Sequence, residues 1–162
     1  MKFFVTALVL MALFGCYVYF AGIGRPISIE EETAHYEVDA LKYTEMLNQI
    51  KTRGPKGHAA VTEWNVSWDW KCRVSLDVKT TYPQHVNLEG LSTSQKVSWH
   101  EFLSKLRLHE NFHKFDGIQA ARDVSDNWCL GARFIVKYWV AQSEILDLRT
   151  DHGRTDGVVL KL

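Results

Sequence analysis

The sequence predicts an α+β domain, a small antiparallel sheet packed by two or three helices, with an N-terminal transmembrane or signal-anchor helix ahead of it. Three observations predict this. Two segments between Thr62 and Lys79 alternate apolar and polar residues, the period-two pattern of half-buried strands. From Trp99 onward the apolar residues recur at threes and fours, the repeat of one helix face. Ahead of both, Phe3 to Gly24 carries no charged residue, a run long enough to cross a hydrocarbon layer about 30 Å thick.

The N-terminal run reads best as an uncleaved signal-anchor. A cleaved signal peptide has a shorter apolar centre and small residues at its cut, whereas Gly22-Ile23-Gly24 is followed by Arg25-Pro26. Cleavage, or lipid attachment at Cys16 in Leu13-Phe14-Gly15-Cys16, are the alternatives. Residues 25–34, with Glu30-Glu31-Glu32, read as a solvated linker, and residues 35–162 as the domain. About 135 residues is the usual size of one domain.

Within the domain, His35–Val38 looks like a short strand. Leu41, Met46, Leu47 and Ile50 mark a helix that stops at Gly54-Pro55. The first clear strand sets Thr62, Trp64, Val66, Trp68 and Trp70 against Glu63, Asn65, Ser67 and Asp69. In the second, Cys72, Val74, Leu76 and Val78 share a face and Pro83 ends the run. The two are expected to pair. A helix with Ser94 as N-cap then carries Trp99, Phe102, Leu106, His109 and His113 on one face. Gly117 interrupts it, a further helical stretch covers Ile118 to Trp128, and Gly131 opens another from Phe134 to Leu148. Thr150 to Leu162 is a polar tail.

Charge and cysteine usage narrow the function classes. Nineteen Lys and Arg balance nineteen Asp and Glu, so the electrostatic footprint of nucleic-acid binding is missing. Apart from Cys16 the cysteines are Cys72 and Cys129. Behind an export segment they are expected to form a disulfide in an oxidising, extracytoplasmic compartment. Closing that loop stabilises by roughly 4 kcal/mol in the chain-entropy treatment.

His109-Glu110-Asn111-Phe112-His113 carries the chemistry. Residues four apart on a helix stand one above the other, so both imidazoles can reach one Zn²⁺. Glu110 projects about 100° around the axis, placing its carboxylate beside an open coordination position. There it can act as general base toward a zinc-activated water. Two core histidines with ordinary hydrogen bonds are the alternative. A catalytic zinc needs a third protein ligand. Gln119 stands where an extended motif would place a third His, and Arg133 stands near where a downstream Glu would fall. His152, Glu144, Asp147 and Asp116 remain, and His152 is the best placed, on a turn with Gly153 directly after a helix. Asp147 can orient a ligating imidazole from outside the ligand set, and Thr150 lies in the same segment. His35, His58, His85 and His100 lack partner spacing and read as ordinary histidines.

These residues resemble the bacterial DUF922 family, described as predicted secreted zinc-dependent proteases. The resemblance runs from about His35 to Gly157 through Tyr36-Glu37-Val38, Trp64-Asn65-Val66-Ser67-Trp68 and Cys72-Arg73-Val74. It continues through the His109–His113 motif and Cys129 to Asp147-x-x-Thr150-x-His152-Gly153. Phe112 and Leu146 depart from the family's pattern without touching the expected ligands. The resemblance implies zinc binding first and peptide cleavage second.

The expected protein is therefore a zinc-dependent hydrolase, cleaving an amide bond in a peptide or protein substrate. His109, His113 and His152 hold Zn²⁺, Glu110 is the base, and Asp147 and Thr150 lie around them. The domain is expected to face the periplasm from an inner-membrane anchor over residues 3–24, or to be secreted if the anchor is cleaved. A non-catalytic, zinc-stabilised periplasmic interaction domain is the rival class. A hydrolase of non-peptide amides such as cell-wall cross-links is a further one.

Overall fold

The computed structural model describes residues 26–161; the expected signal-anchor over residues 1–24 lies outside them. Strand β1 covers Ser28–Val38, helix α1 Tyr43–Arg53, strand β2 Val61–Trp68 and strand β3 Val74–His85. Helices α2 (Thr93–Asp126) and α3 (Ala132–Thr150) follow, and short 3-10 turns sit at Pro55–Gly57, Leu88–Gly90 and Arg154–Asp156. The described residues form an α+β fold with one three-stranded sheet and three α-helices. No helix among the described residues is long and apolar enough to cross a membrane.

The sheet order is β1-β3-β2. Strands β2 and β3 form the expected antiparallel hairpin, from Val61 opposite Thr81 to Trp68 opposite Val74. Strand β1 runs parallel to β3, from Ser28 opposite Ser75 to Val38 opposite His85. The sheet is therefore mixed, which corrects the antiparallel expectation. A hairpin announces its direction through its short turn, whereas the direction of β1 is set by the crossover through α1.

Part of the expected linker is structured, because Ser28 to Thr33 lies inside β1. Its Glu30, Glu31 and Glu32 are all exposed, so the first half of this edge strand has two wet faces and no alternation to read, whereas Tyr36 and Val38 turn inward at the expected His35–Val38 end. Lys79 reaches Glu32 at 2.6 Å and Lys114 reaches Glu31 at 2.6 Å. Pro83 falls two residues inside the end of β3 instead of ending it.

Helix α2 is a single element of 34 residues. Its cap is Ser92, two residues before the expected Ser94. The Ser92 hydroxyl accepts from the Gln95 amide at 3.3 Å, and the Gln95 side chain accepts from the Ser92 amide at 2.9 Å. This reciprocal pair satisfies two otherwise orphaned donors. Gly117 does not break the helix. A Cβ there would stand 2.7 Å from Trp64 Cγ, so the glycine lets the sheet approach the helix closely.

The length of α2 lets it serve two cores. Its first half brings Trp99, Phe102 and Leu106 against Val38, Met46 and Ile50. Its second half brings Ala120, Ala121 and Val124 against Val66, Leu76 and Val78. The expected disulfide joins Cys72 to Cys129 with Cα atoms 5.7 Å apart. It ties the β2–β3 turn to the α2–α3 turn, and the metal motif lies between the two cores.

Candidate metal site

His109 and His113 continue the inward stripe of α2, and both are buried. The hairpin turn after Asp126 folds α3 back along α2, which brings Asp147 over that stripe. Oδ1 of Asp147 lies 3.2 Å from Nε2 of His109 and 3.0 Å from Nε2 of His113. The two Nε2 atoms are themselves 3.3 Å apart. Three donor atoms thus form a nearly equilateral triangle, the one grouping of this kind among the described residues.

Those spacings fit a small divalent ion. Tetrahedral bonds of 2.0–2.1 Å place neighbouring donor atoms about 3.3 Å apart. Two imidazole nitrogens and a carboxylate oxygen are also a donor set that zinc accepts.

The turn after α3 is built from the Asp147–Gly153 segment. Asp151, His152 and Gly153 all have positive φ. The Thr150 hydroxyl donates to the Leu146 carbonyl at 2.8 Å and accepts from the Gly153 amide at 3.0 Å, fixing the chain reversal. Gly153 then lies against the His109 ring: a Cβ there would meet its Cγ at 2.9 Å. His152 stands beside the triangle with Nδ1 3.6 Å from Asp147 Oδ1 and much of its side chain in solvent. The structure thus gathers His109, His113 and Asp147, and sets His152 at the rim.

Glu110 faces the same space from the next position on α2. It is buried, and its Oε2 has no hydrogen-bond partner among the described residues. Burial raises its carboxyl above the ordinary range, against lowering contributions from the Thr62 hydroxyl, His113 and His109. A desolvated carboxylate beside two imidazoles is the environment of a group poised to exchange a proton.

A cleft of about 500 Å³ opens over these groups. Ala59 to Trp64, the lead into β2 and its first half, form one wall, and Val140, Ser143 and Glu144 of α3 form the other. His58, which has no sequence spacing to distinguish it, lies in this wall with its ring 4.5 Å from that of His152. Neither His58 nor Thr62 could be found from local pattern, because the β2–α2 packing alone brings them here. Asp116, a further ligand candidate, is instead bonded by the Ser143 hydroxyl at 2.7 Å. Burial raises its carboxyl.

The fold and site define a class: an α+β domain with a three-stranded mixed sheet, whose helical hairpin carries a histidine–carboxylate cluster able to hold a metal. Residues 33–129 match the family model described as "Bacterial protein of unknown function (DUF922)". The chain belongs to this DUF922 family. The matched span includes the His109–His113 motif and both bridged cysteines and ends before α3, so Asp147 and His152 lie beyond it. No curated protein and no solved structure matches the chain.

Proposed function

We propose that this protein is a zinc-dependent hydrolase, with a peptide or protein as substrate. The observation that carries the reading is the convergence of three donor atoms within 3.3 Å of one another beside Oε2 of Glu110, which has no hydrogen-bond partner among the described residues. His109, His113 and Asp147 would hold the ion, and His152 would sit next to it. Zinc, when bound, supplies a polarised water whose pKa falls toward about 7 and a Lewis acid for the scissile carbonyl.

The chain's own residues supply the rest. Glu110 receives the water's proton at its free oxygen and passes it to the leaving amine. His152, at the rim of the cleft, would stabilise charge developing on the carbonyl oxygen by donating a hydrogen bond to it. Strand β2 pairs only with β3 among the described residues, and its first half lines the cleft. An extended peptide can add to that free edge through backbone hydrogen bonds, which favours a peptide over a compact amide.

Zinc analysis of the intact protein tests the reading, with about one ion per chain expected for a three-ligand catalytic site. Glu110→Gln should keep the ion and abolish hydrolysis of a peptide library. Hydrolysis that survives the change removes Glu110 from the mechanism. Because the cluster also ties α2 to α3, a purely structural zinc is the second reading. Unfolding on chelation, with no hydrolysis by the wild type, would select it.

A further inference from the structure

We infer that the end of the domain closed by the Cys72–Cys129 bond rests in the interfacial layer of a lipid bilayer, holding the candidate metal cluster at a fixed height above the lipid. The inference goes beyond the hydrolase reading and stands apart from it. It rests on the expectation that residues 3–24 insert into a membrane.

The chain's own path places this end near the bilayer. Ile27 packs against the cluster that contains Cys72, Val74, Cys129 and Ala132, and Ser28 lies opposite Ser75 at the start of β3. Gly24, the last residue of the uncharged run, is three residues from Ile27. Three residues span at most about 10 Å even when fully extended. Ile27, at this end of the sheet, is therefore tethered within about 10 Å of the end of the apolar run.

The surface there has the composition of an interfacial anchor. Trp70 is 87% exposed on the β2–β3 turn, Leu130 is 77% exposed on the α2–α3 turn, and Phe134 is 81% exposed on the first turn of α3. The disulfide joins the two turns. Exposed large apolar side chains on adjoining turns call for a partner, and indole is the side chain most at home at the headgroup boundary. Lys71 sits with its ammonium 4.7 Å from the Trp70 ring. Arg73 and Arg133 are also exposed, against Asp69, which Arg73 pairs at 2.6 Å, and Asp126. The surplus is basic, complementary to anionic headgroups. From His109 to Asp126, α2 advances about 25 Å, so the cluster and its cleft stand about that far from the docked end.

The test uses the full chain reconstituted into phosphatidylethanolamine–phosphatidylglycerol vesicles, with bromine carried on the acyl chains either near the headgroup or near the methyl end. The emission of Trp70 is taken as the difference between wild type and Trp70→Ala. Headgroup-end bromine should reduce it at least about twofold, and methyl-end bromine less, as an interfacial indole requires. Leu130→Asp with Phe134→Asp, both at exposed positions, should restore most of that emission while the chain still floats with the vesicles. A floating chain whose Trp70 emission ignores bromine overturns the docking and leaves the membrane segment standing. A chain that stays in the aqueous fraction overturns both. A change that follows the protein-to-lipid ratio and ignores bromine assigns the patch to a second copy of the chain and overturns the inference. Zinc content is not read in this assay, so failure of the hydrolase reading is scored separately.

Discussion

Oδ1 of Asp147 lies 3.0 Å from Nε2 of His113, although the two residues are 34 positions apart and on different helices. The same oxygen is 3.2 Å from His109 and 3.6 Å from His152. One carboxylate therefore faces three imidazoles, and it is the group through which the tail of α3 reaches the motif on α2.

The first prediction separates ligand from neighbour. Asp147→Ala should weaken zinc binding by more than the 10–100-fold that loss of an outer group costs, because a donor of the triangle disappears. His152→Ala should leave the zinc content near that of the wild type and reduce affinity by no more than that range. Competition with a chelator of known affinity measures both. The reverse order would make His152 the third ligand and Asp147 its orienting partner.

A second prediction concerns the turn that presses on the site. Gly153 has φ +80 and abuts the His109 ring, whereas Gly131 has φ +70 with nothing among the described residues within 4 Å of its would-be Cβ. Alanine at Gly131 should cost only the backbone strain, about 1–2 kcal/mol. Alanine at Gly153 should cost that plus about 1–3 kcal/mol of overpacking, and should weaken zinc binding because His109 must move. Denaturant unfolding and zinc titration of the two variants read the difference. Equal losses in both would mean that Gly153 does not support His109.

Gly117 carries the third prediction. Alanine ordinarily stabilises a helix interior by about 1 kcal/mol over glycine. Here its Cβ would meet Trp64 at Cγ, 2.7 Å, and at Cβ, 3.1 Å, near the stem of the indole, where no flexible tip can yield. Overpacking of about 1–3 kcal/mol should outweigh the propensity gain, so Gly117→Ala should lower the unfolding temperature by several degrees. Since Trp64 also lines the cleft, turnover of any peptide substrate should change with it. A higher unfolding temperature would show that the sheet gives way freely.

What the sequence could show divides along a physical line. His109 and His113 were legible because a four-residue step on one helix fixes their relation without tertiary structure. The β2–β3 pair was legible for the same reason, since alternation and a short turn are both local. The place of Asp147 as a donor is not local. It depends on how α3 packs back on α2, and the Asp147–Gly153 segment announces a turn without saying which side chain points inward. Only the His35–Val38 end of β1 was legible; the rest, Ser28–Ala34, escaped because Glu30–Glu32 are all exposed and burial leaves no period there. Gly117 reads as a helix break by propensity, and only the indole of Trp64 across the interface explains why a glycine continues the helix. Ser94 and Ser92 are both plausible caps by type, and the side chain of Gln95 decides for Ser92.

The last prediction uses the distance between the disulfide and the cluster. The Cys72–Cys129 bond closes a sequence separation of 57 residues, worth roughly 4 kcal/mol in the chain-entropy treatment. Replacing both cysteines with alanine should remove most of that stability. The bond lies at the far end of α2 from His109, about 25 Å along the helix axis, in an apolar cluster that does not include His109 or His113. Perturbations at that distance without shared partners combine additively to within about 0.5 kcal/mol. The double variant should therefore unfold at much lower denaturant yet bind zinc within about twofold of the wild type while folded. A large loss of zinc affinity would mean that the bond holds α3 in register against α2, coupling the two turns to the placement of Asp147.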